Sequence, residues 1–237
     1  MKKEEIWIFV DGGARLKKKG DYKSGFHGAY AYRATLARGN KLIPFTSGGG
    51  FRADTTTPRM EFTALLTGLQ QTNVVLYNPE FRNHFMIDDD CEFDIYVVCD
   101  ALNSVKTMTD WIHRWIAYTV KKVGALYKNK EDGTQEPALF KRSMKGKTEP
   151  VLNADLIIQI AQFLDQLTKG GASVKFLHVK SHIEKTRLEE ARIKFQEFNN
   201  IIIGQEDFLE IVKYNEEVDD MVNQYYKKGI ENIERQN

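Results

Sequence analysis

The sequence lacks any long hydrophobic run: no apolar stretch reaches the roughly 18–20 residues that a membrane-spanning helix needs. Its opening residues, Met1-Lys2-Lys3-Glu4-Glu5, lead directly into a strand-like run, so no signal peptide is expected. Cysteine is scarce. Cys91 and Cys99 are the only two, and they form neither a C-x-x-C pair nor a ligand cluster. At most one bridge is available to them, which excludes a disulfide scaffold and points to a reducing, cytoplasmic setting. Internal repeats are absent as well. Net charge is nearly absent, at +1.

What the chain does contain is ordinary for a globular protein: 237 residues, 42% hydrophobic and 28% charged. That length supports a sizeable core in one domain with insertions. The charge is unevenly placed. Segment 121–147 holds eight Lys or Arg against three acids, a local net of +5. Segment 184–220 holds five bases and eleven acids, a local net of −6. Such asymmetry permits a nucleic-acid-facing side without a basic total.

Periodicity outlines the elements. Ile6 to Val10 is an apolar run stopping at Asp11-Gly12-Gly13. Phe26 to Leu36 and Lys41 to Thr46 read as its antiparallel neighbours, with turns at Gly20 and Gly39-Asn40, and Gly48-Gly49-Gly50 as a flexible loop. Pro58 suits a first helical turn, and Met60, Ala64, Leu65 and Leu69 form a helical stripe. Residues 78–92 read as a polar loop, and Phe93 to Cys99 as a strand stopping at Asp100. Ala101 to about Val123 is helical, with a break near Thr109. Residues 124–150 read as a protruding loop, and Asn153 as the cap of a helix carrying Ile157, Ile160, Leu164 and Leu167. Ser173 to Val179 is a strand, Leu188 to Phe198 an amphipathic helix, and a last helix is expected from about Asn215 to Glu231. This βββαβα…αβ…α order predicts a mixed sheet flanked by helices, with its site at strand ends.

Two strands end in an acid, Asp11 and Asp100, at a rim that solvent and ligand can reach. Glu61 lies in a first helical turn and Asp219 in the last helix. Each has an ordinary role open to it as well: a turn residue for either Asp, a charge favoured by the helix dipole for Glu61, and one of many surface acids for Asp219. If the four converge, their repulsion calls for divalent cations. Mg²⁺ prefers a few carboxylates plus water and phosphate oxygens, and two such ions about 3.5–4 Å apart suit phosphodiester hydrolysis.

Seven segments carry a resemblance, in order. Phe9-Val10-Asp11-Gly12-Gly13, Thr56-Thr57-Pro58-Arg59-Met60-Glu61 and Val98-Cys99-Asp100-Ala101 resemble the opening signatures of type 1 ribonuclease H. Thr109-Asp110-Trp111-Ile112-His113-Arg114-Trp115 is similar to the approach to that family's basic handle, and Pro150-Val151-Leu152-Asn153-Ala154-Asp155-Leu156 to its next helix start. His178-Val179-Lys180-Ser181-His182 resembles its mobile His loop, and Asn215-Glu216-Glu217-Val218-Asp219 the segment bearing its last acid.

The resemblance implies a ribonuclease H-like α/β fold over 1–237: a five-stranded mixed sheet, three antiparallel strands then two parallel, flanked by helices. A basic handle-region loop insertion is expected over 121–149 and a helical insertion over 183–214. It implies an endoribonuclease that hydrolyses the RNA strand of RNA–DNA hybrids, leaving 3′-hydroxyl and 5′-phosphate ends. Two Mg²⁺ ions, replaceable by Mn²⁺, are implied on Asp11, Glu61, Asp100 and Asp219, with Asp220 the rival for the last place. His182 would move protons or release product, and His178 would only pack.

Substrate contacts would fall on Gly12, Gly13, Thr56, Thr57 and Arg59, with Lys121 and Lys122 on backbone phosphates. Lys128, Lys130 and Lys17-Lys18-Lys19 are further phosphate candidates, or solvated turns. Trp111 and Trp115 share a helix face, where packing outweighs base stacking. Gly13, Thr57-Pro58 and Ala101 depart from the family's usual Ser, paired Asn and Ser. A monomer serving replication is expected. The competing readings are a nuclease of the same fold acting on branched or duplex DNA, and a hybrid-binding protein without catalysis.

Overall fold

The computed structural model describes residues 2–17 and 25–236. Strand alternation organises its centre. In β1 (Lys3–Leu16), Ile6, Ile8 and Val10 join one apolar cluster while Trp7 and Phe9 join another, as successive side chains of a strand point to opposite faces. Both faces of the sheet are therefore covered. β2 (Phe26–Arg38) and β3 (Lys41–Arg52) follow as antiparallel neighbours. α1 (Thr57–Leu76) and a short α2 (Pro79–His84) lead to β4 (Glu92–Cys99).

Next come α3 (Leu102–Lys106), a π-helical turn at Thr107–Trp111 and α4 (Ile112–Val123). Four short strands, β5 (Tyr127–Asn129), β6 (Gln135–Pro137), β7 (Phe140–Arg142) and β8 (Thr148–Pro150), precede α5 (Ala154–Lys169). β9 (Ser173–His178), α6 (Leu188–Asn199) and a long α7 (Gln205–Gln236) complete the chain.

The main sheet has the order β3-β2-β1-β4-β9. Its first three strands are antiparallel, and β4 and β9 are parallel additions to β1. The expected mixed five-stranded sheet is the observed one. Ile6, Ile8, Val10, Ile95 and Val97 pack under α1 and α5, whereas Trp7, Phe9 and Val98 pack under α6 and α7 with Phe195, Phe208 and Val218. Among the described residues no helix is long and apolar enough to cross a membrane. Cys91 and Cys99 are both buried, free thiols.

Several local expectations are corrected. Gly48-Gly49-Gly50 is not a loop but part of β3, paired with Tyr32, Ala31 and Tyr30. Its bareness serves packing: a Cβ on Gly49 would stand 2.5 Å from the Tyr225 ring of α7 and 2.3 Å from the Tyr30 carbonyl oxygen. Residues 78–92 include α2, capped by Asn78. The 124–150 segment is not an irregular loop; it forms two β-hairpins, β5–β6 and β7–β8, whose connecting Ala138 and Leu139 are buried.

Asn153 occupies the cap position of α5 in the left-handed region, φ 57°, without a side-chain cap. The break expected near Thr109 is the π-helical turn. α7 begins ten residues before the expected Asn215, because Phe208, Ile211, Val212 and Tyr214 already continue its buried stripe. The 183–214 insertion is thus α6 plus the first turns of α7, and Asp219 lies mid-helix. Gly20, Lys18 and Lys19 lie outside the described residues.

Because α7 rests directly on the backbone of β3, Gly49→Val is expected to lower stability by roughly 1–3 kcal/mol through overpacking. The urea midpoint should fall accordingly.

Candidate active site

Strand register brings the first two acids together. Phe9 of β1 pairs with Val98 of the parallel β4, so Asp11 and Asp100, each two residues further, emerge side by side at the same rim. Both share the strand face of Phe9 and Val98, which is the face α7 covers. Glu61 arrives from the opposite layer. The N-terminus of α1 is drawn onto β1 at Gly12, where a Cβ would stand 2.4 Å from the Met60 carbonyl carbon and 2.6 Å from the Glu61 nitrogen. Gly12 is therefore a packing residue that admits Glu61 to the rim. Asp219 comes one turn beyond the buried Asn215 of α7. Asp220, at the adjacent helical angle, is exposed.

The four acids share one electrostatic environment. Burial, with the neighbouring Asp100 next in weight, pushes Asp11 up to about 7; Asp219 and Glu61 add to this, and the Gly12 N–H donated to its Oδ1 at 2.7 Å opposes it. Burial also raises Glu61, with a contribution from Asp100, while the Ser104 hydroxyl donates to its Oε2 at 2.7 Å and pulls the other way. Asp100 is raised first by burial and then by Asp219, against a hydrogen bond from Ser181. The arrangement is open. Among the described residues, no three His, Cys, Asp or Glu side chains close into a ready metal cage. Such an open carboxylate set suits a cation that keeps water and takes phosphate oxygens as ligands, as Mg²⁺ does.

The other expected residues are distributed as follows. His182 is exposed on the loop after β9, with φ 51°, next to Ser181. Gly13 has open space where a Cβ would be. The Thr56 hydroxyl caps α1 by accepting from the Arg59 N–H at 3.4 Å, and the Thr57 hydroxyl accepts from the Ala14 N–H at 3.1 Å. Arg59 is engaged by Asp155 through two hydrogen bonds of 3.0 and 2.5 Å. Each of the three thus has a partner within the fold, while Thr56 and Thr57 stay exposed and their O–H groups are not used by these bonds. Lys121 and Lys122 are exposed in the last turn of α4, and Lys17 is paired with Asp54. Trp111 and Trp115 lie against each other, ring centroids 5.7 Å apart, with Trp115 on the core.

Sequence reading missed Ser104, Ser181 and Arg15. Ser104 was detectable four residues past Asp100, and Ser181 sits beside His182. Arg15 continues the Asp11–Gly13 strand face, where Asn223 accepts a hydrogen bond from its guanidinium and the Tyr226 ring lies 4.9 Å below it.

The RNase H family model matches residues 3–192, about four-fifths of the sequence, including Asp11, Glu61, Asp100 and His182 but not Asp219. The chain belongs to the RNase H family. The enzyme class of this RNase H is accordingly ribonuclease H. Among solved structures, the native protease-reverse transcriptase of prototype foamy virus matches 94% of this RNase H, with a TM-score of 0.52 and 12% identity. This RNase H spans only 21% of that protein. LC9-RNase H1, a type 1 RNase H with the type 2 active-site motif, matches with a TM-score of 0.49 and 13% identity, covering 90% of this chain and 84% of its own. LC11-RNase H1, described in complex with RNA/DNA hybrid, matches with a TM-score of 0.46 and 15% identity over 95% and 99% of the two chains. No curated protein matches the sequence.

The raised Asp11 carboxyl makes a stability prediction. The folded RNase H holds this proton up to about pH 7, whereas the unfolded chain releases it near 3.8. Ionisation of Asp11 therefore erodes stability as pH rises from about 4 through 7, and its full cost is present above 7. Without divalent metal, Asp11→Asn is expected to raise stability by roughly 1–4 kcal/mol at pH 8, and by little at pH 4. Thermal unfolding in EDTA at both pH values measures this, and an equal Tm for the two proteins at pH 8 would contradict it.

Proposed function

We propose that the chain is a Mg²⁺-dependent endoribonuclease that hydrolyses the RNA strand of RNA–DNA hybrids, leaving 3′-hydroxyl and 5′-phosphate ends. The observation carrying this reading is the convergence of carboxylates from β1, α1, β4 and α7 at one rim, where burial first, and then Asp100, Asp219 and Glu61, push Asp11 up to about 7. An enzyme that holds such a cluster on rigid elements has a use for cations there. Two Mg²⁺ ions, or Mn²⁺ in their place, would supply Lewis-acid stabilisation of the attacking and leaving oxygens. Asp11 would serve both ions, Glu61 and Asp100 one, and Asp219 the other.

The remaining residues orient and bind. Ser104 fixes Glu61, and Ser181 fixes Asp100. His182 brings an imidazole, a ring able to accept or donate a proton, to the exposed loop beside Ser181. Arg15 is preorganised by Asn223 and Tyr226, and among the described residues it forms no ion pair with a carboxylate. It offers its remaining N–H donors to a backbone phosphate, as Lys121 and Lys122 do. Duplex shape and backbone carry recognition of the hybrid, with the exposed Thr56 and Thr57 hydroxyls still able to donate to it. Thr57-Pro58, standing where the family usually carries two Asn, favours a second reading, in which these acids cut branched or duplex DNA.

A panel of hybrid, duplex RNA, duplex DNA and four-way junction with Mg²⁺ separates the two. Preferential cutting of the RNA strand of the hybrid is expected, and junction preference would favour the rival. Asp11→Asn and Asp100→Asn should each cut at least about 10³-fold more slowly, some 4 kcal/mol of barrier. Near-normal rates in both would reject the assignment. For hybrid binding, Arg15→Ala should reduce the dependence of log K on log salt by about one unit of slope, the signature of one phosphate contact.

A further inference from the structure

β9 is an edge strand of the sheet, and edges leave backbone groups without a ladder partner. At its end the Val179 N–H bonds the Cys99 carbonyl of β4 at 3.1 Å, so the neighbouring peptide groups of His178 point outward. A single side chain takes both. Asn199, the last residue of α6, accepts from the His178 N–H at 2.8 Å and donates to the His178 carbonyl at 2.9 Å. The same amide donates to the Phe195 carbonyl at 2.8 Å, which locks it to its own helix. α6 thus stands in for one residue of a missing sixth strand.

Fixing the His178 backbone fixes its ring. The imidazole packs against Phe198 of α6, centroids 5.4 Å apart, and its Nε2 lies 3.0 Å from the main-chain carbonyl oxygen of Asp100. Since a carbonyl only accepts, Nε2–H donates. Asp100 is then held at two points from the β9 end, its carbonyl by His178 and its carboxylate by Ser181. Having left the β4 ladder at Cys99, it has no strand pairing of its own to hold it.

We propose that Asn199 and His178 are positioning residues for Asp100: the inserted helix α6 sets the placement of a site carboxylate through a two-step hydrogen-bond relay. This rests on the reading of Asp100 as a metal-binding acid, and it replaces the expectation that His178 only packs. Outer partners of metal ligands are commonly worth 10–100-fold in affinity or rate. His178→Phe keeps the contact with Phe198 but loses the donor; His178→Gln keeps a donor; Asn199→Ala frees the backbone of His178.

Calorimetric Mg²⁺ titration, hybrid cleavage and thermal unfolding of the full chain test this. His178→Phe and Asn199→Ala are each expected to weaken Mg²⁺ binding and lower kcat about tenfold, with KM for the hybrid within about twofold. His178→Gln should recover most of both. The double variant should be no worse than His178→Phe, because the two residues act in series. Loss of Tm with unchanged Mg²⁺ affinity, or a Gln variant no better than Phe, would overturn the proposal. If the wild-type protein fails to cut the hybrid while the Mg²⁺ affinities follow the expected order, the hybrid reading fails and the relay stands.

Discussion

Two parallel strands that bring aspartates to the same level, Asp11 within β1 and Asp100 just past β4, impose a repulsion on which the rest of the site depends. The register of β1 and β4 sets Asp11 beside Asp100, and the apolar layers on both faces of the sheet keep the pair from turning away. Burial and like charge then both disfavour ionisation. The surrounding chain answers with hydrogen bonds that favour it: the Gly12 N–H at Asp11, Ser104 at Glu61 and Ser181 at Asp100. These donors moderate the conflict without removing it, since Asp11 still stands at about 7. A cluster left partly uncompensated is costly to the fold and useful to a ligand of opposite charge.

The fourth carboxylate requires a different solution, because Asp219 is supplied by a helix crossing the sheet. α7 is pinned to the first three strands by groups spread along its length. Tyr214 donates to the Leu42 carbonyl at 2.9 Å, Glu210 accepts from the Leu42 N–H at 2.7 Å, and Glu217 pairs with Arg33. Bare glycine in β3 lets Tyr225 sit against the strand itself. Buried residues at helical spacing, Tyr214, Asn215, Val218 and Val222, then leave only one of the two adjacent aspartates facing inward. That Asp219 faces Asp11 and Asp100 while Asp220 faces solvent is thus a consequence of how the apolar stripe meets the sheet.

Much of this was legible in the sequence, for identifiable reasons. A strand that buries both faces reads as a continuous apolar run, so the apolar parts of β1 and β4 and the acids that follow them stood out; Asp11 nevertheless does not close its strand as expected, because β1 continues to Leu16 in antiparallel pairing with β2. The start of the helix carrying Glu61 was marked by Pro58 and by the stripe behind it, although Glu61 stands just past the first turn and not in it as expected. The misreadings share a cause: local signals overridden by distant partners. Three glycines in a row look like a loop until a helix needs to touch the strand they form. Asn153 looks like a helix cap, yet its side chain accepts from Arg59 at 3.4 Å instead of capping α5. The start of α7 was hidden by acids interleaved with its apolar stripe, although Glu206 and Asp207 suit a first turn. Ser104 and Ser181 are commonplace residues whose roles exist only once the fold has delivered a carboxylate to them.

The position of α6 follows from the same geometry. A sheet that adds strands in parallel beyond β4 must end somewhere, and here it ends at β9, immediately beside an acid of the site. An unprotected edge at that point would leave Asp100 held by a strand terminus free to fray. Covering it with a further strand would extend the sheet and leave a new edge of its own. A helix ending in asparagine satisfies one outward peptide pair and stops there, which caps the sheet without propagating it. The acidity of α6 does not conflict with a nucleic-acid substrate nearby, since Glu189 and Glu190 are paired with Arg192, Arg187 and Lys194 on the helix's own surface. Its charge is spent locally, while its last residue acts on the sheet. In this arrangement the added segment contributes rigidity to an acid it never touches, and the carboxylates keep an open side toward solvent.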